Sequence, residues 1–358
     1  MSEIAVKRIL IIRLSAIGDV VFASPLVAAC RQAHPNAEID WLAEGVVRPL
    51  LQDMPGLHEV VLWPRQEWEE LWREKRLIML ARAILKMRAL LRERQYDLVV
   101  DAQGLVKSAL LAWLTGARSR IGFKSKEPTG VFLTKRIEKS ITPRISSEYL
   151  GLAEALSWST RDFDLVLGIS ASDENRAKDI IGSVPYTVIA PFTTRAQKHW
   201  TDDRWRQLIS DLLVQGHKVA CLGGPGDREH ARAMLDDLSV ENWVGKFPLG
   251  VSAGIVGRAR ALVGVDTGLT HMGVATGVPT VALFGSTCPY LETGGDRVRI
   301  IYHALSCSPC ARRPTCQGRF ECMTDIGTDE VMLALEAVTC VDADGHTPDS
   351  GKGVAIDV

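Results

Sequence analysis

Short apolar runs recurring between amphipathic stretches constrain this chain more than any other feature. Arg8–Leu14 reads as a buried strand and Val20–Ala33 as a helix. Glu38–Ala43 and His58–Trp63 read as strands, Gln66–Arg94 as one long helical stretch, Asp97–Ala102 as a strand and Leu105–Leu114 as a helix. Strands that are apolar throughout are covered on both faces, and strands separated by helices form a parallel sheet with helices on either side. The pattern restarts after about residue 170. Tyr186–Ala190, Lys218–Gly223, Ala261–Val265 and Thr280–Phe284 read as strands, with helices over Asp202–Gln215 and Asp227–Leu238 and another opening near Gly268. The expected fold class is α/β, with two Rossmann-like doubly wound domains facing each other across a cleft, over residues 1–170 and 171–340. Residues 341–358 are rich in Gly, Asp, Ser and Lys without an apolar period and are expected to be a flexible tail.

At 358 residues the chain is long enough for two cores. No apolar run reaches the ~18–20 residues that span a bilayer. The apolar run Ile9–Ile12 is closed by Arg13, which does not make a signal peptide, so the expected location is the cytoplasm. The net charge of −1 hides an asymmetry: residues 1–150 hold 23 Lys+Arg against 17 Asp+Glu, and the remainder holds 19 against 26. A basic first half suits a phosphorylated substrate or an anionic membrane surface, and equally suits solvated helix faces. No nucleic-acid motif accompanies the charge. Four of the eight cysteines cluster as Cys307, Cys310, Cys316 and Cys322. In a reducing compartment they are not a disulfide framework. Four thiolates can hold a structural zinc, although only Cys307 and Cys310 have the C-x2-C spacing, and plain reduced cysteine is the other reading.

The chemistry-bearing residues sit where strands end. Arg13-Leu14-Ser15-Ala16-Ile17-Gly18-Asp19 turns from a strand into a helix, so Asp19 either caps that helix or stands at the cleft as a general base. Asp101-Ala102-Gln103-Gly104 follows another strand and puts Asp101 and Gln103 at the cleft, unless it is an ordinary cap and glycine turn. Thr193-Thr194-Arg195-Ala196-Gln197-Lys198 gathers hydroxyls, amides and a lysine as a pyrophosphate site requires, and Lys198 can neutralise a departing phosphate. Gly264-Val265-Asp266-Thr267-Gly268-Leu269-Thr270-His271 ends a strand in a tight turn and opens a helix whose first amides favour phosphate. His271 is either part of that site or a satisfied core residue. Gly223-Gly224-Pro225-Gly226-Asp227-Arg228-Glu229 is a further turn where Asp227 or Glu229 can accept from ribose hydroxyls, or Asp227 can cap the helix. Neither a Walker A loop nor GxGxxG is present.

In order and spacing over roughly residues 7–330, Ser-Ala-Ile-Gly-Asp, Asp-Ala-Gln-Gly-Leu-Val-Lys-Ser, Thr-Thr-Arg-x-x-Lys-His-Trp and Val-Asp-Thr-Gly-Leu-Thr-His resemble the lipopolysaccharide heptosyltransferases. The resemblance implies the two-Rossmann-domain GT-B fold and an inverting, metal-independent glycosyltransferase with an ADP-heptose donor. The implied acceptor is Kdo on lipid A or a heptosylated inner core. It implies that Asp19 is the base, that Thr193, Thr194 and Lys198 contact donor phosphates, and that Asp266, Thr267, Gly268 and His271 hold pyrophosphate and heptose. The Asp101–Ser108 block is most similar to heptosyltransferase I, whereas Ser-Cys-Ser-Pro-Cys at 306–310 is more like the second-heptose enzymes.

The mechanism expected from these readings is direct displacement. The 1–170 domain binds the acceptor through Gly18, Asp101, Gln103 and Lys126, and the 171–340 domain binds the ADP-sugar, with Asp227 and Glu229 on the ribose side. No cofactor is required, and peripheral contact with the cytoplasmic face of the inner membrane goes with a lipid-linked acceptor. The stretch Gln66–Arg94, with Trp68 and Trp72 among Arg and Lys, is either a membrane-surface helix or a core-packing one. The rival functions are a nucleotide-sugar epimerase on the same architecture and a non-catalytic nucleotide-sugar-binding protein.

Overall fold

The computed structural model describes residues 6–311 and 313–340. The expected tail at 341–358 therefore lies outside the described residues. The chain divides into two compact units, Met1–Ser172 and Asp173–Val358.

The first unit holds strands β1 (Arg8–Ile12), β2 (Glu38–Glu44), β3 (Glu59–Trp63), β4 (Leu98–Asp101), β5 (Ser119–Phe123) and β6 (Lys135–Ile137). They form one parallel sheet in the order β3-β2-β1-β4-β5-β6. Its helices are α1 (Ile17–Ala23), α2 (Pro25–Ala33), α3 (Arg65–Arg73), α4 (Leu77–Glu93), α5 (Val106–Leu114) and α6 (Ser147–Ala155). Side chains alternate along β1. Ile9 and Ile11 pack with Val20, Leu26, Val27 and Leu152 of α1, α2 and α6. Leu10 and Ile12 pack on the other face with Met87, Leu91, Ala109 and Leu111 of α4 and α5. Each such aliphatic side chain contributes about 1.5–3 kcal/mol when fully buried, which is why an uninterrupted apolar strand must lie inside.

The second unit begins with α7 (Ala171–Ile181), most of which it contains. Its strands are β7 (Thr187–Ala190), β8 (Val219–Cys221), β9 (Glu241–Asn242), β10 (Ala261–Val265), β11 (Thr280–Phe284) and β12 (Val298–Tyr302). All are parallel, in the order β12-β11-β10-β7-β8-β9. The remaining helices are α8 (Asp202–Val214), α9 (Arg228–Leu235), α10 (Leu249–Gly257), α11 (Gly268–Ala275), α12 (Glu321–Thr324) and α13 (Thr328–Thr339). Both sheets thus have doubly wound Rossmann order. In each, the chain runs outward from the first strand, then returns and runs the other way from the fourth, so a crevice opens between the loops after β1 and β4, and between those after β7 and β10.

The structure corrects two expected helices. Val20–Ala33 is two helices, because Pro25 lacks an amide hydrogen and stands at the first position of α2. Gln66–Arg94 is broken at Glu74–Arg76. Lys75 has a left-handed backbone (φ 57°), and the Arg76 and Lys75 amides donate to the Leu71 and Trp72 carbonyls at 2.9 and 3.0 Å. This is a Schellman stop. Four strands escape the apolar-run reading: β5, β6, β9 and β12. They are short or carry polar residues, as strands toward a sheet edge do.

Candidate active site

In the first unit, Asp19 lies in the opening turn of α1 with its side chain 42% exposed. Its carboxylate pairs with Arg13, whose guanidinium is buried, and accepts from the Ala16 amide at 3.3 Å. Asp19 therefore caps its helix and also keeps an oxygen-bearing face toward solvent. Sequence reasoning missed Arg13 as a functional residue, although a charge closing an apolar strand was the available signal. Arg13 Nη1 donates to the Ala102 carbonyl at 3.1 Å, and the Arg13 carbonyl accepts from Trp41 Nε1 at 3.0 Å. The guanidinium thus ties the loop after β1 to the loop after β4 and holds Asp19 between them. Gly18 is half-buried beside Asp19 in α1.

Asp101 and Gln103, expected on the acceptor side, are both buried. Asp101 is wholly buried, and its carboxylate accepts from the Gln103 and Gly104 amides at 3.0 and 3.2 Å and from Ser108 Oγ at 3.0 Å. Burial pushes its carboxyl up to about 6, against the opposing hydrogen bonds and Arg13. Gly104 makes this turn possible: its φ is 75°, in the region that favours glycine. Gln103 Oε1 accepts from the Leu14 amide at 2.9 Å, a second tie between the two loops. Both side chains position the site's backbone rather than face solvent. Lys126 is exposed on the loop between β5 and β6.

The second unit draws four expected residues into one cluster around Asp266. Its carboxylate accepts from Lys198 Nζ at 2.5 Å, from His271 Nε2 at 3.1 Å and from Thr287 Oγ1. Thr193 Oγ1 donates to the Asp266 carbonyl at 3.2 Å. His271 Nδ1 meets the Tyr290 hydroxyl at 3.0 Å. Burial alone would raise the Asp266 carboxyl, but His271 and Lys198 outweigh it and hold it well below the usual carboxylate range. Thr287 and Tyr290 lie after β11 with no motif around them, so the sequence carried no signal for them.

Thr267 is the N-cap of α11 in extended conformation, and Gly268 is its first residue. The helix therefore begins beside the Asp266 cluster with first-turn amides that have no acceptor within the helix. Thr270 Oγ1 donates back to the Val265 carbonyl at 2.6 Å. This tight return depends on Gly264, where a Cβ would lie 2.2 Å from Thr270 Oγ1 and 3.0 Å from Ala190 Cβ. Thr194 is exposed on the loop after β7. After β8, Asp227 Oδ2 accepts from the Gly224 amide at 2.8 Å, the capping alternative, while Glu229 is exposed in the first turn of α9. The loops after β10, β7 and β8 are neighbours along one sheet edge, where ligands of such sheets bind.

The cysteine segment braces this edge. Gln197, beside Lys198, donates to the Ala311 carbonyl at 3.2 Å, and the Ala311 amide donates to the Ser286 carbonyl at 2.7 Å. Burial pushes the Cys322 thiol up to about 11, and Cys310, Cys307 and Cys316 add to it, so the four lie in one another's field. Among the described residues, the metal-type ligand group whose atoms all fall within 4.8 Å of one another is instead Asp40, His58 and Glu59. Arg94 already occupies that group, 3.0 Å from Asp40 and 2.6 Å from Glu59. The four thiols are thus grouped but not drawn to the spacing a bound zinc imposes.

The family model for glycosyltransferase family 9 (heptosyltransferase) matches residues 84–320. Lipopolysaccharide heptosyltransferase 1 of Pseudomonas aeruginosa is 29% identical over 92% of this chain and 98% of its own length. Lipopolysaccharide heptosyltransferase 2 of Escherichia coli K12 is 24% identical over the same shares of each chain. The structure of E. coli heptosyltransferase WaaC with ADP superposes with a TM-score of 0.70 at 25% identity, covering 92% of this chain and 99% of that one.

Proposed function

Since the chain belongs to glycosyltransferase family 9, the heptosyltransferases, we propose that it transfers the first heptose of the lipopolysaccharide core from an ADP-heptose donor to Kdo, inverting the anomeric carbon. The observation that carries this reading is the Lys198–Asp266–His271 cluster at the start of α11. A leaving ADP needs fixed positive charge and hydrogen-bond donors, and here a lysine and a helix N-terminus lie on one sheet edge, with His271 hydrogen-bonded to the same carboxylate. Lys198 turns from Asp266 to the phosphate as the donor binds, and Thr193, Thr194, Thr267 and the Gly268 amide complete the pyrophosphate seat. Asp227 and Glu229 serve the ribose side. Asp19, held by Arg13, takes the proton from the acceptor hydroxyl as the new bond forms, and Lys126 and Gly18 belong to the acceptor side.

The first-heptose reading rests on greater identity to a heptosyltransferase 1 than to a heptosyltransferase 2. ADP release is measured with ADP-heptose and Kdo-lipid A, with the same lipid already bearing one heptose, and with no acceptor. Release with Kdo-lipid A alone is the expected result. Release with the heptosylated lipid alone moves the assignment to the second heptose, and consumption of donor without acceptor or released ADP returns the epimerase reading. No metal takes part in this chemistry, so EDTA leaves the release rate within twofold; a larger loss restored by one metal overturns that point.

A further inference from the structure

Six of the large apolar side chains exposed on this molecule fall within 72–90, on α3, its Schellman stop and α4. Trp72 is 67% exposed and Ile78 73%, joined by Leu77, Met79, Leu85 and Leu90. The inward faces of the two helices are already satisfied. Leu71, Met87 and Leu91 are buried, and Trp68 packs edge-on against Trp63 with ring centroids 5.7 Å apart. Of the two tryptophans on this stretch, only Trp72 is outward. Ile78 and Leu85, seven residues apart, share one face of α4 and cannot reach the unit's core. An apolar patch this concentrated marks an interaction surface rather than scattered surface residues.

Its charge says what covers it. Residues 70–90 carry six Lys+Arg against two Asp+Glu. Arg73, Lys75, Arg76, Arg82 and Lys86 are exposed around the apolar side chains. The two acids pair locally, Glu70 with Arg73 at 3.8 Å and Glu74 with Arg76 at 3.1 Å, which leaves Lys75, Arg82 and Lys86 as surplus positive charge. Apolar side chains ringed by cations fit the headgroup boundary of an anionic bilayer, where the chains enter the acyl region and the cations meet phosphates. A second copy would bring like charge against like. No helix among the described residues is long and apolar enough to cross a membrane.

We propose that the α3–α4 tip, with Trp72, Ile78 and Leu85 as its inserting side chains, docks the enzyme on a membrane rich in anionic phospholipid. Its benefit, delivery to a lipid-linked acceptor, rests on the function proposed above; the binding itself does not.

The test is co-sedimentation of the full chain with vesicles of phosphatidylethanolamine and phosphatidylglycerol, or of phosphatidylcholine alone, at low and high salt. The expected result is binding to the anionic vesicles at least tenfold tighter than to the neutral ones, weakened by salt. The triple variant W72S/I78S/L85S loses at least tenfold of that binding while releasing ADP at the unchanged rate on a deacylated, water-soluble acceptor. The charge variant R82E/K86E loses binding to anionic vesicles by a similar factor. Wild type and triple variant binding alike, or no binding by wild type, overturns the proposal. So does a concentration-dependent dimer in sedimentation velocity that the triple variant abolishes, because the patch then covers a second copy. No donor or acceptor enters the vesicle assay, so its outcome is readable whatever the reaction proves to be.

Discussion

Asp101 and Asp266 stand at corresponding places, at the end of the strand that lies beside the first strand of each sheet. Asp101 is closed over by neutral donors, two amides and a serine hydroxyl, and its carboxyl is pushed up to about 6 by burial. Asp266 is gripped by Lys198 and His271 as well as Thr287, and its side chain is only 12% exposed, yet its carboxyl lies well below the ordinary range. One backbone turn is thus stapled by hydrogen bonds and the other by charge. Only the charged version holds a lysine cation against its carboxylate, the one that the proposed function turns to the donor phosphate. In the first unit the carboxylate proposed as the base is a different one, Asp19 after β1, which pairs with Arg13.

That division predicts unequal losses. Asp19→Ala removes the exposed carboxylate and is expected to lower ADP release by about 10³-fold, within the range for a lost general base, while isothermal titration shows donor binding little changed. Turnover near wild type would take Asp19 out of the base role. Lys198→Ala is expected to cost about 10²-fold in kcat, as removal of one preorganised electrostatic contact does, and Asp266→Asn should fall by a similar factor because it releases the lysine and histidine it aligns. If Lys198→Ala turns over normally, the cluster is structural and the contrast with Asp101 has no chemical meaning.

Asp101→Asn is expected to leave kcat within a few-fold and to act on stability instead. The Asp101 carboxyl is raised in the folded state, so its contribution is fully present below about pH 4 and is lost as pH rises through about 6, a change of roughly 3 kcal/mol. Asp266 has the opposite sign: its contribution is present above the ordinary aspartate range and is lost only as pH falls through its lowered value. Urea unfolding of Asp101→Asn between pH 4 and 6 should lack the downward slope of wild type. An unchanged slope would assign that proton to another group.

Much of the fold was legible because buried parallel strands are apolar over most of their length, as β1, β4, β7, β10 and β11 are. The edge strand β6, Lys-Arg-Ile, carries no such demand and gave no signal. In the site, Lys198, Asp266 and His271 were readable from the turns that carry them. Arg13 was overlooked inside a motif already singled out, and Thr287 and Tyr290 have meaning only through contacts with residues about twenty positions earlier. The inward turn of Asp101 and Gln103 was not legible, because a polar residue ending a strand can turn outward to solvent or inward to staple its own loop.

The sequence by itself determined that this chain makes two doubly wound α/β units and where their strand-end turns fall, since burial period and turn chemistry are local properties. Only the tertiary structure decided which polar groups at those turns face solvent, which spend themselves on neighbouring loops, and that a broken amphipathic stretch leaves Trp72, Ile78 and Leu85 outward. Such outcomes depend on partners brought together from distant positions, and the electrostatic fate of a carboxylate is set by those partners and by burial rather than by the residues beside it in the chain.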